Sequence, residues 1–330
     1  MLKLKLEDLL TDNELKSLNQ NRITTLLDFL QEDTEKLSIL TQLTLPQILE
    51  IRNNIFKKYS AEPINGTDLY ITSITKRKSI QTGIKELDSI LDRGIPSGII
   101  EICGLAGSGK SQLCMQIAIN CVKDSDNTIL YIDTKGDFSA LRIQKILDLN
   151  GYSHKDMAII MLKIKIVRVW TIEDLIELIQ KIKSGLIVVE NLALVIIDSL
   201  PCLVFQHFGD DNKMGLHFLN RLVLLFKYLN KQLDVGVICV NVQTRWIDQD
   251  IPDYIDGEST SVNKGSNYIE KANRCLGKYW ENIPAILLIL KRSLESIDDN
   301  SLSIRISATN CNNPHVVKTC MLKVSALGVR

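Results

Sequence analysis

The residues whose types and spacing speak most directly of chemistry are Gly104-Leu105-Ala106-Gly107-Ser108-Gly109-Lys110-Ser111, followed by Gln112. They fit the pattern G-x-x-x-x-G-K-[ST], and they lie between the apolar run Ile99 to Cys103 and an amphipathic stretch marked by Leu113, Cys114, Ile117, Ala118, Cys121 and Val122. Glycines at 104, 107 and 109 let the backbone curl until successive N–H groups converge on phosphate oxygens, and a helix starting near Lys110 adds its positive end. Lys110 then reaches the β- and γ-phosphates of ATP, and the Ser111 hydroxyl ligates Mg²⁺. A glycine-rich turn of no function is the alternative, and the Lys-Ser pair with both flanks in place stands against it. A carboxylate must steady the metal through its water shell, and the aliphatic strand Leu194-Val195-Ile196-Ile197-Asp198 ends in one.

Holding these groups requires a sheet with helices on it. After about residue 81, short β-rich runs alternate with helical stretches, which predicts a mainly parallel sheet flanked by helices. Strands are expected at Ile99 to Cys103, Ile129 to Asp133, Leu194 to Asp198, Val235 to Asn241, Ala285 to Leu290, Ser301 to Ala308 and Met321 to Ala326. Before it, apolar residues at helical intervals (Leu15, Leu18; Leu26, Leu27, Leu30; Leu37, Leu40; Ile48, Ile51, Ile55) predict a small all-α domain over residues 1–58. Thr11 to Glu14 offers an N-cap, and Pro46 suits a first helical turn. Residues 59–80, with Ala61-Glu62-Pro63-Ile64-Asn65-Gly66 and the basic triplet Lys76-Arg77-Lys78, look like a linker to a core at 81–330. The triplet is either a solvated charge run or a short nuclear import signal.

A chain of 330 residues with 45% hydrophobic content can bury a large core. Its 39 basic residues equal its 39 acidic ones, so any nucleic-acid contact must be local. The most apolar stretch, Leu186 to Phe205, is interrupted by Glu190, Asn191, Asp198 and Pro201, so no membrane association is expected. Eight cysteines occur singly, without C-x-x-C spacing, and read as buried thiols.

Thr82-Gly83-Ile84-Lys85-Glu86-Leu87-Asp88, Gly94-Ile95-Pro96-Ser97-Gly98, the phosphate loop, Tyr131-Ile132-Asp133-Thr134 and Val195-Ile196-Ile197-Asp198-Ser199 together resemble the RecA-like recombinases of eukaryotes and archaea, the RadA type. Segments Ser60 to Tyr70 and Leu276-Gly277-Lys278-Tyr279-Trp280 are similar to the paralogue D branch of that family. The resemblance implies a RecA-like P-loop ATPase core, ATP with Mg²⁺, a role in homologous-recombination repair in the nucleus, other recombinase paralogues as partners in a hetero-oligomer, and contact with single-stranded or branched DNA. It also places Arg142 where the family stacks an arginine on adenine, an exposed helix arginine being the alternative.

The departures from the family bear on mechanism. Lys135 stands where the recombinases carry the glutamate that activates water, and a lysine ammonium, with a reference pKa of roughly 10.4, cannot accept that proton. Losing such a base typically costs roughly 10² to 10⁴ in rate, so hydrolysis is expected to be slow. Asp137 is a possible substitute. Val242 replaces the glutamine that relays the γ-phosphate state, leaving Gln243 as the residue through which a relay could be rewired.

The loops that correspond to the family's DNA-facing segments are residues 205–216 and 247–272. The second holds Asp248, Asp250, Asp253, Asp256, Glu258 and Glu270 against Lys264 and Lys271, six acids to two bases, which argues against tight DNA binding by the chain alone. Tyr254 and Tyr268 could still make local contacts. Asn312-Asn313-Pro314 is either a hairpin turn or a loop pressed on a neighbour's nucleotide, and Tyr70 is either an anchor into a neighbouring subunit or an intramolecular contact. No glycine precedes Gly66, so the N-terminal helices suit protein docking better than gripping DNA. These residues imply an ATP-binding accessory subunit; the rival expectation is a DNA-dependent ATPase with strand exchange of its own.

Overall fold

The computed structural model describes residues 10–60, 63–75, 79–91, 94–96, 98–209, 213–248, 269–293, 301–311 and 313–330. The chain divides into two compact units, Met1–Ser73 and Ile74–Arg330.

The first unit holds α1 (Asp12–Gln20), α2 (Leu26–Gln31), α3 (Thr34–Thr41), α4 (Leu45–Tyr59) and most of α5 (Gly66–Thr75). Local chemistry sets the helix starts: the Glu14 carboxylate accepts the Thr11 N–H at 2.6 Å, Asp28 accepts that of Thr25 at 2.9 Å, and Gln47 accepts that of Thr44 at 2.9 Å. Leu18, Phe29, Leu37 and Ile48 are fully buried at its centre. Each such side chain contributes about 1.5–3 kcal/mol relative to exposure. The stretch expected to be a linker contains α5, which begins where the Asn65 side chain accepts the Thr67 N–H at 2.9 Å. Its Leu69, Tyr70 and Ile71 are exposed, so no apolar periodicity announced it.

The second unit contains, in order, β1 (Ser79–Ile80), α6 (Lys85–Ile90), β2 (Ile95–Pro96), β3 (Ile99–Gly104), α7 (Lys110–Lys123), β4 (Thr128–Asp133), α8 (Ala140–Leu149), α9 (His154–Lys163), β5 (Ile164–Arg168), α10 (Ile172–Lys183) and β6 (Leu192–Asp198). It continues through α11 (Leu200–Val204), α12 (Lys213–Leu233), β7 (Gly236–Val240), β8 (Gln243–Asp248), β9 (Ile269–Arg274), α13 (Gly277–Glu281), β10 (Ile286–Arg292), β11 (Leu302–Asn310), β12 (Asn313–Ser325) and β13 (Gly328–Val329). Among the described residues nine strands form one sheet in the order β13-β12-β11-β10-β3-β7-β6-β4-β5. From β10 to β5 every pairing is parallel, and β11, β12 and β13 add an antiparallel extension.

Both faces of the parallel part are covered, which is why its central strands β3, β4, β6 and β7 are buried almost throughout and mostly apolar. Ile196 and Ile238 pack with Leu113 and Ile117 of α7 and with Ile143 of α8 on one face. Val195 and Val237 pack with Ile176 and Ile179 of α10 and with Leu222 and Phe226 of α12 on the other. This is the α/β architecture expected for a RecA-like core.

The expected strands are all present, but β1, β2, β5, β8, β9 and β13 are additional to them, and β12 starts earlier than expected. β5 was not foreseen because it starts directly after α9 and forms the sheet edge, where Lys165 and Ile166 are exposed. β12 begins at Asn313 and not near Met321, so Asn313 and Pro314 belong to a strand, with Asn310 paired to Asn313. Its first five residues are exposed, which left only the pairing with β11 to define them. The cysteines are less uniform than expected: Cys103, Cys114, Cys121 and Cys239 are buried, Cys202 is exposed, and Cys275, Cys311 and Cys320 are intermediate. Among the described residues no helix is long and apolar enough to cross a membrane, and no group of His, Cys, Asp and Glu is arranged to hold a metal.

Candidate nucleotide site

The phosphate loop spans the gap between β3 and α7 at the carboxyl end of the sheet, where open α/β sheets bind ligands. Gly104 must be glycine because a Cβ there would lie 2.5 Å from the Leu290 carbonyl oxygen of β10 and 2.7 Å from Ser108 Oγ. Gly107 and Gly109 adopt φ of +73° and +91°, a left-handed backbone that side chains resist. Gly109 occupies the N-cap of α7 and provides no side-chain cap, so the first-turn amides of a 14-residue helix remain for a ligand.

Lys110 is 8% exposed, and its Nζ donates to the Gly104 carbonyl at 2.9 Å and the Leu105 carbonyl at 2.7 Å. Burial holds its pKa below the ordinary lysine value. Ser108 Oγ is buried without a hydrogen-bond partner, an orphaned polar atom inside the cradle. Leu105 and Ala106 complete the curl on its outer side, and Ser111 and Gln112 lie half-buried on the first turn of α7. A ring of amides, an ammonium group resting on carbonyls and an unsatisfied hydroxyl fit a polyphosphate.

The acidic side of the site comes from β4 and β6, whose terminal residues Asp133 and Asp198 are direct neighbours. The two carboxylates do different work. Asp133 accepts the N–H groups of Lys135, Gly136, Asp137 and Phe138 at 2.9–3.3 Å and so fixes the loop that follows β4. Asp198, 3% exposed, accepts the Tyr131 hydroxyl on Oδ2 at 2.8 Å. Burial pushes the Tyr131 phenol well above its ordinary range, with the Asp198 charge adding to the effect. Asp198 Oδ1 takes no hydrogen bond and instead faces the Lys135 ammonium at 3.3 Å.

Lys135 also lies 3.6 Å from the Asp137 carboxylate. Burial, the largest single influence, would lower its pKa, but the neighbouring Asp198 and Asp137 carboxylates together outweigh it and leave the group above the ordinary lysine value. The position expected to hold a general base thus holds a stable cation, and Asp137, largely exposed, is engaged with that cation. Mg²⁺ was expected between Ser111 and Asp198. Ser111 lies on the first turn of α7 beside the cradle and suits a metal ligand, while Asp198 Oδ1 already has the Lys135 ammonium beside it at 3.3 Å.

Arg142 of α8 is locked by three hydrogen bonds: Nε to Gln112 Oε1 at 2.8 Å, Nη1 to the Ala326 carbonyl at 3.0 Å and Nη2 to the Ser325 carbonyl at 2.5 Å. These bonds lie at its edge and tie α7, α8 and the turn between β12 and β13 together, which holds the guanidinium plane in one orientation.

Sequence reasoning missed a second polar cluster on the opposite face of β3. Glu101 is fully buried; it accepts the Asn241 side-chain amide at 2.7 Å and the Arg274 guanidinium at 2.9 Å. Burial raises its pKa, with Arg274 opposing the shift. Asn241 Oδ1 in turn accepts the Val242 N–H at 2.7 Å. A glutamate inside the run Ile99 to Cys103 was the available signal. The cluster anchors the two-stranded ribbon of β8 and β9, whose strands pair from Gln243 with Arg274 to Asp248 with Ile269. Tyr254, Lys264, Tyr268 and Asn312 lie outside the described residues, as does most of the acidic segment.

Comparison with known proteins places these features in a family. The Rad51 family model matches residues 75–252. The bovine DNA repair protein RAD51 homolog 4 is 28% identical over 293 residues, covering 87% of this chain and 84% of that protein. Its mouse counterpart is 29% identical over 242 residues, 72% of this chain and 74% of that protein. Mouse DNA repair protein RAD51 homolog 2 is 24% identical over 230 residues, 64% of this chain and 65% of that protein. With a phosphate cradle on a doubly covered parallel sheet and a family match over more than half its length, this chain belongs to the Rad51 family of RecA-like proteins.

Proposed function

We propose that this chain is an ATP-binding accessory recombinase paralogue that acts in a hetero-oligomer with other paralogues and assists recombinase assembly on single-stranded DNA during homologous-recombination repair. Its setting is then the nucleus. The relatives named as DNA repair proteins support the repair setting. The observation that carries the accessory assignment is the pairing of an intact phosphate cradle with a cation, Lys135, at the position of the water-activating base. Binding without rapid turnover suits a subunit whose nucleotide stabilises an assembled state by mass action.

In this reading Gly104 to Gln112 enclose the phosphates, Lys110 exchanges its two carbonyl contacts for phosphate oxygens, and Arg142 offers its fixed plane to the adenine. Ser111 is placed to take a metal ligand position; Mg²⁺, when bound, neutralises phosphate charge. Assembly with other paralogues, followed by native mass measurement with and without ATP, tests the proposal. Assembly indifferent both to nucleotide and to Lys110→Ala would overturn it. Turnover above roughly one per second, the low end of ordinary enzymes, would favour an independent ATPase with strand exchange instead.

A further inference from the structure

We propose that Lys135 is an internal counter-ion of the nucleotide site, holding at Asp198 the positive charge that a divalent cation supplies elsewhere, so that this chain retains a nucleoside triphosphate when divalent metal is removed. This rests on the nucleotide-binding reading of the phosphate loop and deepens it.

The geometry is specific. Asp198 is almost wholly buried, and its Oδ2 is committed to the Tyr131 hydroxyl, so Oδ1 is the oxygen left to balance charge. The Lys135 ammonium stands 3.3 Å from it. A buried carboxylate next to a triphosphate repels it unless a cation lies between them. The chain supplies that cation from a backbone that is itself fixed: the Lys135 N–H is bound to Asp133 at 3.1 Å, within a run of four successive amides on the same carboxylate.

The second cation of the site, Lys110, is tied to the carbonyls of Gly104 and Leu105 and does not neutralise Asp198 through a direct contact. Lys135 is therefore the cation in direct contact with Asp198, and a divalent ion approaching Oδ1 meets a like charge already in place. An ammonium on a side chain costs no binding entropy of a separate ion, and it cannot be chelated.

The test is the binding of N-methylanthraniloyl-ATP to the full chain by fluorescence anisotropy, in excess Mg²⁺ and in excess EDTA. The wild-type Kd should differ by less than about threefold between the two, because the counter-charge is covalently attached. Lys135→Met should make binding metal-dependent, with a Kd about tenfold or more weaker in EDTA, and Lys135→Arg should restore indifference. A wild-type chain that loses about tenfold or more in EDTA overturns the counter-ion role while leaving nucleotide binding intact. Metal-indifferent binding by both wild type and Lys135→Met also overturns it, since another group would then supply the charge. No binding by wild type in either condition overturns this role together with the reading it rests on.

Discussion

At the scale of single residues, identical amino acids take opposite tasks according to what surrounds them. Lys110 and Lys135 are both partly buried lysines of one site, yet one rests on neutral carbonyls and the other on a carboxylate, so burial lowers the first pKa while Asp198 raises the second. Lys110→Ala should weaken ATP binding by about tenfold or more with secondary structure unchanged, because it removes the ammonium and leaves the backbone cradle; equilibrium binding beside circular dichroism checks this. Glu101 gives a pH prediction. Its folded-state pKa lies above the ordinary glutamate value because burial outweighs Arg274 and Asn241. The folded chain then binds more protons than the unfolded one between those two values, and stability falls as pH rises through that window. Arg274→Met removes the main opposing charge and should cost about 3–5 kcal/mol near neutral pH. That deficit should shrink as pH falls toward the ordinary glutamate range, measured by urea unfolding across pH. A deficit that does not change with pH would show that Glu101 is not the group left uncompensated.

At the scale of elements, the site is a product of how neighbouring strands end. β4 and β6 terminate in aspartates at the same level, and one of them is consumed in fixing the loop after β4, which leaves the other to the site. β3 and β10 approach so closely at Gly104 that a methyl group meets backbone, which cannot swing away as a side chain can. Gly104→Ala should therefore cost about 1–3 kcal/mol through displacement of β10 or of the loop, read as a lowered urea midpoint. Arg142 plays a comparable part between helices and strands. Its replacement by alanine should release the turn at Ser325 and Ala326 from α8, seen as faster amide exchange over residues 322–330, while the exchange of β6 and β7 stays slow.

At the scale of the whole molecule, the chain consists of a helical unit with its own core and a larger α/β unit that contains every residue of the nucleotide site. A ligand that binds one unit stabilises that unit by mass action, about 2.7 kcal/mol at a concentration one hundred times Kd. Scanning calorimetry with ATP should thus move the transition of the larger unit upward and leave that of residues 1–73 in place. A common shift of both would mean that they unfold as one. The division also bears on the proposed role, in which nucleotide would act in the larger unit and the helical unit would dock a protein.

The amino-acid sequence by itself determined the phosphate loop, the strand ending in Asp198, the alternation that makes a covered parallel sheet and the helical spacing of the apolar residues from Leu15 to Ile55. These are local signals: a glycine pattern, an aliphatic run or a three-to-four-residue period is written within one element. Only the tertiary structure decided that Lys135 lies on Asp198, that Asp137 faces Lys135, that Arg142 holds the far end of the chain, and that Glu101 is satisfied by Asn241 and Arg274. Those pairings join residues from 63 to 183 positions apart in all but the Asp137 contact. Their electrostatic character depends on burial and on the approach of separate strands, which no neighbourhood along the chain encodes.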